Sequence, residues 1–240
     1  MIKRIYHGSE NRIEKPIYGY GKKYNDYGVG FYCTESIEMA KEWGVGASRN
    51  GYANIYDLNM DQLSVLNLND TEYSILHWLS VLLQNREFEL TSVLARESKD
   101  YLTTYFLPDY LSYDIIVGYR ADDSYFSFAQ DFLNGTISYR QLSSAMHLGK
   151  LGQQIVLKSE KAFSQITFVD AEIAKADEWF IRKQFRDKSA RDEYFDARRN
   201  KRQQGDLYIT QILDEEMKAD DERIRPKLPR KSNDHARQNA

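Results

Sequence analysis

Cysteine is almost absent from this chain, with Cys33 the single example among 240 residues. One thiol can neither close an internal disulfide nor build a cysteine zinc site, so disulfide-stapled scaffolds and cysteine-ligated zinc folds are excluded. There is no apolar run of about 18 residues, so no membrane-spanning helix and no membrane partner are expected. The opening MIKRIYHGSE runs into a strand-like pattern and lacks the apolar centre of a signal peptide, which makes the cytoplasm the expected compartment. Also missing are a Walker loop, a GxGxxG after a strand, an HExxH helix and a nucleophile elbow. No metal site is expected.

Charge is present but uneven. The net charge is −3, which neither invites nor forbids nucleic acid. From Ala176 onward there are 16 basic and 14 acidic residues in 65, with nine Lys/Arg against four Asp/Glu between Arg182 and Arg202. Asp206 to Glu222 then carries seven acids against one lysine. The final RPKLPRKSNDHARQNA has two prolines and little that is apolar, and reads as disordered. This gives an expected division into a domain over 1–175, a charged helical extension over 176–222 and a disordered tail over 223–240. The basic run has two readings, a solvated helical face or a docking surface for an acidic partner or nucleic acid that the acidic segment masks.

Periodicity and punctuation place the elements. Ile2 to Tyr6 reads as a strand ending at His7-Gly8-Ser9, and Ser36 caps a helix through Trp43-Gly44. Tyr52–Leu58, Leu63–Leu68, Tyr113–Gly118, Gln154–Lys158 and Ile166–Val169 read as strands. Helices are predicted after Asn69-Asp70-Thr71, over Ser92–Phe106, from Asp123 to Leu133 and from Ser138 to Gly149, with a largely helical remainder from Ala171. Strands and helices interleave without regular βαβ spacing, so the fold class is α+β.

Two features could carry chemistry. In NDYGVGFYCTESIEMAKEWG at 25–44, Gly28 and Gly30 serve either a tight turn or a close backbone approach to a ligand, with Tyr32 aimed into the same cavity. His7, beside small Gly8-Ser9, suits a hydrogen bond to a ligand hydroxyl or a satisfied strand end. The remaining histidines, His77, His147 and His235, read as structural or tail residues.

Three stretches, IYHGS at 5–9, YGVGFYCTESIEMAKEW at 27–43 and QQIVLKSEKAFSQI at 153–166, fall in the order of three motifs of one superfamily. In them the chain resembles the ADP-ribosyltransferases with a His-Tyr-Glu signature, typified by diphtheria toxin and the poly(ADP-ribose) polymerases. To about Asp214 it also resembles a bacterial family catalogued as domain of unknown function 3990, most closely over YDIIVGYRADDSYFSFAQDFLNGTISYRQL at 113–142.

The resemblance implies a split β-sheet with NAD, as substrate, in the cleft between its halves. It assigns His7 to a ribose and the nicotinamide amide region, Gly8 to a backbone grip on that amide, and Ser9 to the adenosine ribose. Gly30 then belongs to the turn that delivers Tyr32, which lines the nicotinamide pocket, and Trp43 stacks on the ring. At the glutamate position stand Gln153-Gln154, of which strand alternation lets only one face the cleft; ungapped matching points to Gln153, matching to the bacterial family to Gln154, and Gln153 is slightly favoured. An amide contributes no charge and no general base, so polymer elongation is not expected, and Asp122 or Asp123 is the candidate carboxylate, Asp122 first because Asp123 suits a helix cap. Asp26 could support the pocket but fits an Asx turn. The implied activity is mono-ADP-ribosylation of a protein or nucleic acid by an intracellular toxin or defence effector, with a cognate antitoxin as a possible partner. The alternatives are a non-catalytic NAD or ADP-ribose sensor and an NAD glycohydrolase.

Overall fold

A computed structural model describes residues 1–121, 123–146, 152–199 and 203–225. Asp122, the first-choice carboxylate, therefore lies outside the described residues, as do Lys201, Arg202 and 226–240. Among the described residues the chain forms two β-sheets and eight helices, an α+β arrangement.

The first sheet is antiparallel. Its centre is β3 (Gly51–Asn59), flanked by β1 (Ile2–Ser9) and β7 (Ile166–Ala174). The second sheet has the order β2 (Phe31–Cys33), β6 (Gln153–Leu157), β5 (Ile115–Tyr119), β4 (Val65–Asn67), antiparallel except for the β4–β5 pair. The backbones of the two sheets are joined by one bridge. Tyr6 N–H donates to Thr34 O at 2.8 Å and Thr34 N–H to Tyr6 O at 2.9 Å, after which the strands part.

Alternation along β5 and β6 sorts the apolar residues into two cores. Ile115, Ile155 and Leu157 pack with Ile5, Phe31, Tyr56 and Leu58. Ile116 and Val156 point the other way, into a core closed by α2 (Ile75–Asn85), α3 (Val93–Tyr105), α4 (Asp123–Leu133) and α5 (Tyr139–Ala145). Helix α1 (Ile37–Gly44), capped by the Ser36 hydroxyl, lies against β1 and β3. It sits so close that a Cβ on Gly8 would stand 2.0 Å from Ala40 O.

Three expectations are corrected. Helix α2 starts after Ser74, whose side chain and His77 form a capping box, while Leu68 to Glu72 is a turn braced by the Asn67 and Asp70 side chains. The region after Ala171 is not yet helical, because β7 continues to Ala174 along its partner β3, and α7 (Ala176–Arg199) follows. The stretch 223–225, read as disordered, is packed: Ile224 is fully buried and its carbonyl accepts the Tyr139 hydroxyl at 2.7 Å. A short helix, α6 (Glu160–Ser164), had no counterpart in the sequence reading, and α8 (Ile209–Asp214) follows α7.

Helix α7 lies on the core through Ala190 and Tyr194, which stacks on Phe128 at 3.7 Å, whereas Phe185 and Phe195 stay exposed. Its Arg186 and Arg198 pair with Glu42 and Asp131. The acidic segment instead places Asp206 on Arg140, and Glu215 and Asp221 on Arg223.

Candidate functional site

A cavity of about 830 Å³ opens where the two sheets part. Its wall carries His7, Gly8, Gly30, Tyr32, Trp43 and Gln154, joined by Asp26, Arg86 and Arg120. A second cavity of about 830 Å³ is lined by Tyr139, Arg140, Asp206, Arg223 and Arg225; Asp206 engages Arg140 in two hydrogen bonds, and Arg223 pairs with Glu215 and Asp221.

The parting of the strands makes the first site. Tyr6 directs both backbone groups toward β2, so alternation directs those of Gly8 to the same side. Continued pairing would give the Tyr32 carbonyl to Gly8. Instead His7 Nδ1 takes it, at 2.7 Å. Gly8 is left with N–H and C=O on the cleft edge and no strand partner there among the described residues. The same contact fixes the imidazole, with the proton on Nδ1 and Nε2 as acceptor. Burial lowers the His7 pKa, which keeps that neutral form at neutrality, while the Tyr32 carbonyl opposes the shift. Phe31 stacks on the ring at 4.3 Å.

The glycine turn delivers Tyr32. Gly28 has φ +72, a conformation that disfavours a side chain, and a Cβ on Gly30 would stand 2.6 Å from Val156 Cγ1. The Tyr32 hydroxyl donates to Gly28 O at 2.6 Å and accepts from Tyr27 N–H at 3.0 Å, so it pins its own turn. Lys158 completes the clamp, with Nζ donating to Tyr27 O and Val29 O, both at 2.5 Å. Burial lowers its pKa to about 8.

Register decides between the glutamines. Tyr32 stands opposite Val156, and Gln154 lies two residues along β6 on that same face. Gln154 is buried in the cavity wall, whereas Gln153 falls on the opposite face and is exposed at the strand end. The preference for Gln153 is thus replaced by Gln154. Ser9 also moves out of the site: its hydroxyl donates to Asn11 O at 2.6 Å and accepts from Asn54 Nδ2 at 2.9 Å, holding the loop after β1. Trp43 reaches the cavity, but Arg120 lies over its ring at 4.5 Å, so one face is taken.

Asp26 is the residue the sequence reading undervalued. It is buried in the wall. Oδ2 accepts from Ala121 N–H at 2.9 Å and from Gln154 Nε2 at 3.4 Å, and Oδ1 accepts from Arg86 Nη1 at 3.3 Å. Burial raises its pKa, opposed by the Ala121 amide, Arg86, Arg120 and Gln154. Donors face both of its oxygens, which is the surrounding of an anion. Nothing near Asp26 in sequence announces Arg86 or Ala121, and the Asp-Tyr-Gly string alone reads as a turn.

Two buried polar atoms in this wall lack a hydrogen-bond partner among the described residues, the Trp43 Nε1 donor and the Gln154 Oε1 acceptor. Buried polar atoms in folded proteins are overwhelmingly paired, so these two are unmet hydrogen-bonding capacity in the wall. Among the described residues no group of three or more His, Cys, Asp or Glu comes together to hold a metal ion. No helix among them is long and apolar enough to cross a membrane.

The fold and cavity define an α+β protein with a ligand-sized cleft between two diverging sheets. The chain belongs to a family described as protein of unknown function (DUF3990), whose model matches residues 3–168. That match spans every residue named for the first cavity and ends inside β7, before α7. No curated protein and no solved structure matches the chain.

Proposed function

We propose that this cleft binds NAD and that the protein is a mono-ADP-ribosyltransferase, an intracellular bacterial toxin or defence effector acting on a protein or nucleic acid. The observation that carries the reading is the free backbone edge of Gly8 beside His7. An extended residue offering one N–H and one C=O matches a primary carboxamide, which offers one acceptor and two donors. Nicotinamide has such a group, and Tyr32 and Trp43 line the same cavity. The divergence of the two sheets after a single bridge further supports the split-sheet fold of that superfamily.

In the proposed reaction the bond from the ribose to the nicotinamide nitrogen breaks. Its electron pair leaves with nicotinamide, and an acceptor nucleophile replaces it on the sugar carbon. Positive charge develops on the ribose, and Asp26 is the buried carboxylate of the wall, next to Gln154. A second reading, an NAD or ADP-ribose sensor, draws on the amide at position 154, which cannot act as a general base.

Incubation with NAD labelled in its adenosine half, with bacterial extract as acceptor, tests the proposal. Free nicotinamide with labelled macromolecule is expected. Free nicotinamide with free ADP-ribose assigns a glycohydrolase, binding without nicotinamide release assigns a sensor, and a folded protein that binds no NAD in calorimetry overturns the reading.

A further inference from the structure

We infer that Asp26 is a positioning residue for this cavity, one that turns the Gln154 amide so that its oxygen is presented to a hydroxyl of the ligand. The inference rests on the NAD reading only for its choice of ligand probe.

The chemistry of the pair fixes the orientation. A carboxylate surrounded by donors can only accept, so of the two ends of the Gln154 amide it draws the NH2, and Nε2 stands 3.4 Å from Asp26 Oδ2. Oε1 is left at the other end, buried and without a partner among the described residues. Gln154 lines the cavity, so the missing donor belongs to the ligand. In NAD that donor is a ribose hydroxyl. Without Asp26 the amide is free to rotate, and its oxygen is no longer held toward the ligand hydroxyl in advance of binding.

The same pair explains why an amide and not a carboxylate stands at 154. A glutamate there would bring a second anion to within about 3.4 Å of Asp26. Arg86 and Arg120, the cations that act on Asp26, already face one carboxylate. Two carboxylates so placed cannot both stay ionised at neutral pH without loss of stability.

A double-mutant cycle on the full chain tests the inference, with NAD affinity from calorimetry and fold from melting temperature. Gln154→Met removes the acceptor at nearly constant volume and is expected to weaken NAD by about tenfold, the scale of one buried hydrogen bond. It should also erase the preference for NAD over analogues lacking one ribose hydroxyl. Asp26→Ala should weaken NAD by a similar factor, yet change little in the Gln154→Met background, because the residue it positions is gone. Additive losses in the folded double variant overturn the inference and leave Asp26 a purely structural residue. If Asp26→Ala does not fold, Gln154→Glu decides without any ligand. It is expected to melt well below the native chain at neutral pH, with the deficit relative to the native chain shrinking as acid protonates the pair, whereas an unchanged melting temperature at neutral pH overturns the inference. A native chain that binds no NAD refutes the proposed function, and the Gln154→Glu melting curve then still decides the pairing.

Discussion

His7 Nδ1 and the carbonyl oxygen of Tyr32 meet at 2.7 Å, in the place where the β1–β2 ladder would otherwise have continued. One contact thereby orients the imidazole, ends the pairing of the two sheets and frees the edge of Gly8. His7→Ala should cost about 1 kcal/mol of stability for the lost hydrogen bond and weaken NAD by about tenfold, since Nε2 is lost with the ring. Calorimetry and urea unfolding on one preparation separate the two effects. Unchanged NAD affinity would remove His7 from the site.

Gly8 answers to packing before it answers to any ligand. A methyl group there would stand 2.0 Å from Ala40 O and 2.8 Å from Gly44 N, both backbone atoms that move only with the whole of α1. Gly8→Ala is expected to destabilise by at least about 3 kcal/mol, the upper range for overpacking. Gly46→Ala is the control, because its nearest neighbour would be the Arg49 side chain at 3.6 Å. Thermal melting of the two variants should differ by many degrees.

Acid should loosen the fold through His7 and His77. Burial lowers the pKa of both below the ordinary 6.5, and His77 Nδ1 accepts the Ser74 N–H at 2.9 Å, so each ring is held neutral. The unfolded chain then takes up these protons near 6.5 while the folded chain does not. Stability due to this neutral burial is present above that pH and declines as pH falls through the lowered folded values. Melting temperatures measured from neutrality to about pH 5 should fall, and His77→Gln should flatten the slope.

Lys158 works in the opposite range. Its pKa drops from 10.5 to about 8 through burial, so between these values the unfolded chain holds more protons and stability from this group rises with pH. A neutral amine keeps two N–H groups, enough for the carbonyls of Tyr27 and Val29. Lys158→Met leaves both acceptors bare and should cost about 1–3 kcal/mol, with weaker NAD binding because the Tyr32 turn loosens. Denaturant midpoints across alkaline pH check both points, and the rise should vanish in the variant.

Ile224 anchors the end of the described chain. Relative to a chain cut after Arg225, one cut after Glu222 loses the buried Ile224 side chain and the Tyr139 hydrogen bond, together with the exposed Arg223 pairs to Glu215 and Asp221. The shorter chain should be less stable by about 2–4 kcal/mol, the range for emptying a buried isoleucine site. Equal denaturant midpoints would show that Ile224 contributes nothing.

Much of this architecture was legible in the linear pattern, and the misses have definite causes. Ser36 caps its helix as expected, and Ser92 and Ser138, the first residues of two predicted helices, prove to be their caps, because a cap needs only a short polar side chain ahead of an apolar period. Strand β7 was cut short at Val169 because ITFVDAEIA mixes acids into the strand; its backbone is held by β3, a partner distant in sequence. The start of α2 was misplaced because Asn69-Asp70-Thr71 offers the same capping chemistry as Ser74, and burial of Ile75 and Leu76 chooses between them.

By itself the sequence determined the α+β alternation and the turn chemistry at Gly28, because each depends on residues within a few positions of one another. Only the tertiary structure decided that Gln154 rather than Gln153 faces the cavity, that Ser9 serves a loop, and that Asp26 stands behind Gln154 with Arg86 at its side. Those relations join segments 45 to 128 residues apart. They are set by strand register and by which buried donors must find acceptors, and neither quantity exists until the sheets have paired.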